Sequence, residues 1–174
     1  TAHDYNFDRI EELFTGEIGR FQNADGGFRA WKEHQTPSSP YLTAYTALIL
    51  QAAKKNGRSI PENEYRKAME YLKSYVARPG TEGYGYVLET FSLIAYVRAA
   101  DGERRSPLQD FLLQNQAKLS LRAKSHLAMS LALSSGPSDK DAKAVLDRVR
   151  NRMEFTTRKV SFKEEAAGSY EQAY

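Results

Sequence analysis

Three histidines, His3, His34 and His126, are where acid–base chemistry near neutral pH would be sought in this chain. His34 follows Glu33 shortly after Trp31, and a Glu–His pair can in principle pass a proton. Adjacent residues rarely converge on one substrate atom, however, and this stretch reads as a solvated loop. His126 stands between Ser125 and Leu127 on an apolar helical stretch, the setting of a hydrogen-bonded core or rim histidine rather than a ligand. His3, beside Asp4 near the terminus, reads as incidental. There is no cysteine, so disulfides, cysteine-based zinc sites, thiol nucleophiles and an internal thioester are all excluded from this chain. No His-Glu-x-x-His spacing occurs either. The expectation is therefore no catalytic residue, no metal site and no cofactor.

Two other groups invite a chemical reading. Asp25-Gly26-Gly27 could cradle a phosphate, but no strand-forming run precedes it and no Gly-x-x-x-x-Gly-Lys follows. A turn is the better reading, with Asp25 bonding nearby backbone N–H groups and Gln22 bracing the same turn. Among the eleven tyrosines, Tyr84 and Tyr86 flank Gly85 in what reads as a loop leading into an apolar helix. A ligand there is conceivable; packing against a neighbouring domain is the more economical role.

Composition narrows the classes. With 25 Lys+Arg against 22 Asp+Glu the net charge is only +3, and no basic run appears, so a nucleic-acid surface is not expected. No apolar run approaches the roughly 18–20 residues of a membrane span, so this segment is not expected to insert. The chain starts at Thr1 without Met and finishes at Ser169–Tyr174 without a helix stop. It is read as a single domain, 1–174, cut from a longer parent.

The elements that would position these residues are helical. Ile10, Leu13, Phe14, Ile18 and Phe21 recur at three- and four-residue spacing, the stripe of a first helix. The turn Asn23–Gly27 follows, and then a loop, Gln35–Pro40, that supplies Ser39 as N-cap and Pro40 as first helical residue. Tyr41–Lys55 reads as an apolar helix stopped at Asn56-Gly57. Its apolar centre, Leu48-Ile49-Leu50, has counterparts in Leu93-Ile94-Ala95 before Gly102 and Leu127-Ala128-Met129 before Gly136. The glycines lie 45 (102 − 57) and 34 (136 − 102) residues apart. More polar helices follow each stop, at about Glu62–Val76, Leu108–Gln116 and Ser138–Met153. Ser106-Pro107-Leu108-Gln109 has the form of a capping box. Only Thr156–Phe162 resembles a strand, either an extended loop or one arm of a hairpin. Helix pairs at such a period imply an all-α solenoid or closed α/α ring.

Specific residues carry the choice between these. Phe21-Gln22-Asn23-Ala24-Asp25-Gly26-Gly27-Phe28 resembles the Gln-x-x-Asp-Gly-Gly-aromatic turn of α/α toroids such as terpenoid cyclases, prenyltransferase β subunits and complement thioester domains. Trp31, Ser39-Pro40-Tyr41-Leu42-Thr43-Ala44-Tyr45, Ile60-Pro61 and Ala68-Met69-Glu70-Tyr71-Leu72 then follow in order. Together they resemble the thioester-type domain of bacterial alpha-2-macroglobulins, closely over about residues 18–76 and in helix-pair rhythm to about 153. The resemblance implies a paired-helix α/α toroid of terpenoid-cyclase and complement-thioester type. About seven helices are counted against about twelve in a complete ring, so it implies an incomplete one.

It also implies a function: part of a large protease trap, not an enzyme, in which a rigid helical module shields or carries a reactive thioester and moves when a bait segment is cut. Implied partners are the parent's other domains and, after cleavage, target proteases; the implied location is the periplasm, with the parent tethered to the inner membrane. The family's Cys-x-Glu-Gln motif is missing, so it lies elsewhere in the parent or the parent belongs to the branch without a thioester. Complement relatives use a histidine after the next helix pair; Ala77–Tyr86 contains none, and no catalytic histidine is carried over. The family-signature residues are thus structural: Gln22, Asp25, Gly26, Gly27, Phe28, Trp31, Tyr41, Leu42, Thr43, Ala44 and Tyr45. Alternatives are a helical-repeat interaction scaffold and a toroid enzyme acting on polysaccharides or terpenoids. The latter would need a cluster of carboxylates, Tyr and His at the loop end of the ring, for which the chain offers only scattered candidates. The Asp-x-Asp-Asp motif of cyclases and the Asp-Cys-His zinc site of prenyltransferases are both missing.

Overall fold

Three glycines held in the left-handed region set the rhythm of the fold. Gly57, Gly102 and Gly136 have φ of +75°, +91° and +97°, conformations that a Cβ disfavours. In the computed structural model, which describes residues 16–32, 36–75, 84–156 and 159–162, each glycine ends an apolar helix: α1 (Pro40–Lys55), α3 (Tyr84–Ala100) and α5 (Leu121–Ser135). Two of the stops are identical in bonding. The N–H groups of Gly57 and Gly102 donate to Lys54 O and Ala99 O, and those of Arg58 and Glu103 reach back to Ala53 O and Arg98 O, all at 3.0 Å. These paired bonds satisfy carbonyls that a helix end would otherwise leave open. After each stop a second helix begins: α2 (Glu62–Ser74), α4 (Pro107–Gln114) and α6 (Lys140–Arg150).

Helix starts are equally explicit. Ser39 caps α1 by accepting from Leu42 N (3.2 Å), with Pro40 in the first turn. Ser120 and Asp139 cap α5 and α6, accepting from Ala123 N (3.1 Å) and Ala142 N (2.8 Å). The capping box at α4 forms as its spelling suggests: Ser106 N donates to Gln109 Oε1 at 2.8 Å. Gln109 is 1% exposed and also donates to Ser134 Oγ at 2.9 Å. Gln109→Ala removes both bonds from a buried setting. We expect it to cost about 2–3 kcal/mol, read as a lowered urea midpoint at unchanged slope.

The chain divides into two compact units, Thr1–Val76 and Ala77–Tyr174. Within the first, α1 packs on α2, burying Ala44, Ala47 and Leu50 along with Ala68, Met69 and Leu72. Within the second, α5 packs against α3, α4 and α6, and Leu112, Leu127, Leu131 and Val145 meet in its core. Four consecutive residues of α3, Ser92 to Ala95, are 2% exposed or less. Four in a row point to all sides of a helix, so the middle of α3 is enclosed all round. The helices that follow the stops are one-sided instead: α6 buries Ala142, Val145 and Val149 and turns its charges outward.

Helix boundaries differ from the sequence expectation at their C-terminal ends. α2 stops at Ser74 rather than Val76, and α4 at Gln114, where the chain tightens into a 3-10 turn, Gln116–Lys118. The last helix is Lys140–Arg150, because Asp139 is its cap and Met153 has already entered a strand. That strand, β1 (Met153–Thr156), pairs antiparallel with β2 (Lys159–Phe162), Met153 opposite Phe162 and Thr156 opposite Lys159. The strand-like stretch is therefore a hairpin arm, appended to an otherwise helical fold. Of the first expected helix only its end is described, closing in a 3-10 turn at Ile18–Phe21; Ile10, Leu13 and Phe14 lie outside the described residues.

Candidate functional site

The Gln22–Phe28 turn is built to join things rather than to react with them. Its rim is closed by an antiparallel bridge between Gln22 and Phe28, with Asn23 N donating to Gly27 O (2.8 Å) and Gly26 N to Asn23 O (2.9 Å). Asp25 Oδ1 accepts from Gly27 N (3.0 Å) and from Ser38 Oγ (2.7 Å), an Asx-type bond plus a tie to the loop before α1. Gln22 Nε2 donates to Gly26 O (2.9 Å) across the turn and to Glu64 O (2.8 Å) on α2. Bracing by Gln22 and local bonding by Asp25 are both as expected; the reach to α2 is additional.

The two glycines are there because neighbours leave no room. Gly26 has φ +87°, and a Cβ on it would lie 2.9 Å from the Lys67 carbonyl carbon of α2, closer still to its oxygen. A Cβ on Gly27 would lie 2.7 Å from Ser38 Oγ and 2.9 Å from Tyr71 Cε2. Phe28 is 1% exposed. Its N–H donates to Thr43 Oγ1 (2.8 Å), the Thr43 hydroxyl donates to Ser39 O (2.7 Å), and Ser39 N returns to Phe28 O (2.8 Å). This closed set of three bonds fixes the turn to the first residues of α1. Thr43 is thus the signature residue that lets a fully buried backbone N–H find an acceptor.

The signature residues separate into two sets. Gln22, Asp25, Gly26, Gly27, Phe28, Thr43 and Ala44 belong to this joint or to the core, while Trp31 is 64% and Tyr45 49% exposed. Tyr41 and Leu42 are half-buried on α1. Leu42 also lines an apolar cleft of about 380 Å³ with Ile18, Phe21, Phe28 and Thr46; Glu17 and Arg29 stand among its walls. Glu17 is held below the usual carboxylate range by its hydrogen bond to Arg20. Sequence reasoning missed Asn23, Arg29 and Ser38. Asn23 Nδ2 donates to Thr36 O and Ser38 Oγ (3.0 Å each) and its Oδ1 accepts from Arg29 (2.8 Å). Nothing in their spelling separates them from ordinary loop residues.

Tyr84 opens α3 and Tyr86 lies in its first turn, so this pair stands on the helix rather than in the loop before it. Tyr86 is 36% exposed. His3 and His34, like Glu33 and residues 76–83, lie outside the described residues. His126 is half-buried on α5 and stacked on Tyr96 of α3, ring centroids 5.8 Å apart and planes 5° from parallel. The hydrogen bond expected of it is not made at Nδ1, which is buried with no partner among the described residues. Glu89 of α3 lies close by, bonded to the Ser120 hydroxyl and to Arg122 Nε (3.1 Å). Burial pushes the His126 imidazole below its usual range; Glu89 pulls it up and Arg122 pushes it further down. Among the described residues no cluster of three His, Asp or Glu side chains could hold a metal ion.

No family model and no curated protein matches the chain. Two solved structures do match. A Salmonella alpha-2-macroglobulin reacted with methylamine matches at a TM-score of 0.70 and 21% identity, over 91% of this chain and 11% of that one. The Y1175G mutant of Salmonella alpha-2-macroglobulin matches at 0.70 and 22% identity, over 90% of this chain and 11% of that one. This chain thus spans about 11% of the length of the structures it resembles. Its all-α, paired-helix architecture is that of part of an α/α toroid, and the fold it shares is found within a bacterial alpha-2-macroglobulin.

Proposed function

We propose that this chain is part of the thioester-type domain of a periplasmic, bacterial alpha-2-macroglobulin-like protease trap, and that its contribution is mechanical rather than catalytic. The observation that carries this reading is the Gln22–Phe28 turn, whose glycines pack against α2 and the loop before α1 and whose Gln22 side chain and Phe28 N–H bond to α2 and α1. A trap that rearranges when its bait is cut needs a module that moves as a body, and such a joint suits that role. Trp31, Tyr45, Tyr86 and Phe111 are exposed aromatics of the described residues, and of these the signature pair Trp31 and Tyr45 and the helix-start Tyr86 are offered as contacts with the parent's other domains. The matched Salmonella protein was reacted with methylamine, an amine nucleophile. This chain has no cysteine, so in the proposed parent any thioester is contributed from outside these 174 residues, or there is none. The chain itself turns over no substrate in this reading, and its further partners are proteases captured after bait cleavage.

The intact mass of the native product, detected with an antibody against this chain in fractionated cells, tests the proposal. A periplasmic product many times larger than 19.7 kDa is expected. A native product of 19.7 kDa would overturn the trap in favour of a free-standing helical scaffold.

A further inference from the structure

A buried imidazole nitrogen without a partner among the described residues lies on the seam between α3 and α5, in the second unit. His126 Nδ1 is that atom, and the ring lies flat on Tyr96 of α3. Four residues earlier on α5, one turn toward its N-terminus, Arg122 holds Glu89 of α3 at 3.1 Å. Glu89 is only 12% exposed at its side chain, and it also accepts a hydrogen bond from the hydroxyl of Ser120, the residue that caps α5. One carboxylate therefore ties α3 to the cap and first turn of α5, close to the positive end of that helix. Among the described residues the charges acting on His126 are Glu89 from α3 and Arg122 from its own helix; α4 and α6, the other helices packed on α5, contribute none.

We propose that His126 is an acid-sensitive latch on the α3–α5 seam: neutral, it leaves Glu89 to Ser120 and Arg122 with the seam closed, and protonated, it loosens the start of α5 from α3. The reason is the position of the proton. A protonated ring has two N–H donors, and among the described residues Nδ1 has no acceptor where it lies. Glu89 is already engaged by a hydroxyl and a guanidinium, so a second cation one turn from Arg122 adds repulsion along the helix while competing for one carboxylate. The way to hydrate the new N–H is to separate the ring from Tyr96.

The sign of the pH dependence follows. Burial, the largest influence on His126, and Arg122 both oppose protonation, outweighing Glu89, so the folded-state pKa lies below 6.5. The stability contributed by the neutral ring is then complete above pH 6.5 and is lost as pH falls through the folded-state pKa.

The test uses the 174-residue chain. The His126 imidazole should titrate by NMR with a midpoint below 6.5, and hydrogen exchange in the first two turns of α5, corrected for intrinsic rates, should accelerate on acidification. The acceleration expected is up to about tenfold per pH unit between 6.5 and the midpoint, one proton's worth. In His126→Gln the acid-linked acceleration should vanish. Should that variant fold poorly, Arg122→Gln keeps the imidazole and should raise its midpoint. A midpoint at or above 6.5, equal acceleration in His126→Gln, or an unmoved midpoint in Arg122→Gln would each overturn the latch.

Discussion

Gly26→Ala should destabilise the first unit by about 3–5 kcal/mol, enough to remove much of the roughly 5–15 kcal/mol that holds a typical domain folded. Two separate penalties act at this position. The backbone sits at φ +87°, and placing an L-residue there costs about 1–2 kcal/mol by itself. The new methyl would also press on the Lys67 carbonyl group, which is backbone and fixed within α2. Relief requires the turn to lift off α2, and that breaks the bonds from Gln22 to Gly26 O and Glu64 O. Gly57→Ala isolates the first penalty from the second. Gly57 also has positive φ, +75°, but a Cβ there meets nothing within 4 Å among the described residues. Its loss should be about 1–2 kcal/mol. Equilibrium urea unfolding of the two variants side by side measures the difference. Equal losses would mean that Gly26 is kept for its backbone angle alone and that the turn is not pressed against α2.

How much of this was written in the sequence depends on whether the cause is local. The helix stops at Gly57, Gly102 and Gly136 were legible because a glycine after an apolar run carries its mechanism in one residue: only there does left-handed backbone come without steric cost. The Ser39-Pro40 start and the Ser106–Gln109 capping box were legible for the same reason, being closed within four residues. The resemblance of the turn to toroid signatures gave its identity. Its mechanics came only from the structure, since Gln22 reaches Glu64 across 42 residues and Asp25 reaches Ser38 across 13. Asn23 was invisible because it reaches Thr36 and Ser38 across 13 and 15 residues, and Arg29 because its role is to bond Asn23 once the turn has formed. The α6 end was misplaced by three residues because Met153 continues the helical spelling, whereas pairing with Phe162 draws it into a strand. The cluster around His126 joins residues 89, 96, 120, 122 and 126 from two helices, and nothing in either helix alone announces the other.

Phe28→Ala and Trp31→Ala should part company sharply although both aromatics belong to one sequence signature. Phe28 is 1% exposed, lies between the turn and α1, and has its own N–H and C=O both engaged. Truncating a ring so enclosed removes its buried area and leaves a cavity, a loss of about 3–5 kcal/mol. Trp31 is 64% exposed, and its removal should change stability by no more than about 0.5 kcal/mol. A tryptophan that contributes so little to its own fold is better explained by a surface that another domain covers. In the proposed trap, Trp31→Ala should therefore leave the unfolding midpoint of this chain unchanged while weakening capture of a protease by the intact parent, scored as protease co-eluting with it after bait cleavage. Thr43→Val gives an intermediate case for calibration: it strands the buried Phe28 N–H and should cost about 1–3 kcal/mol. A large stability loss in Trp31→Ala would place that ring within the fold and withdraw it as a contact residue. A small loss in Phe28→Ala would mean that the turn is held by its polar bonds alone, with its aromatic dispensable.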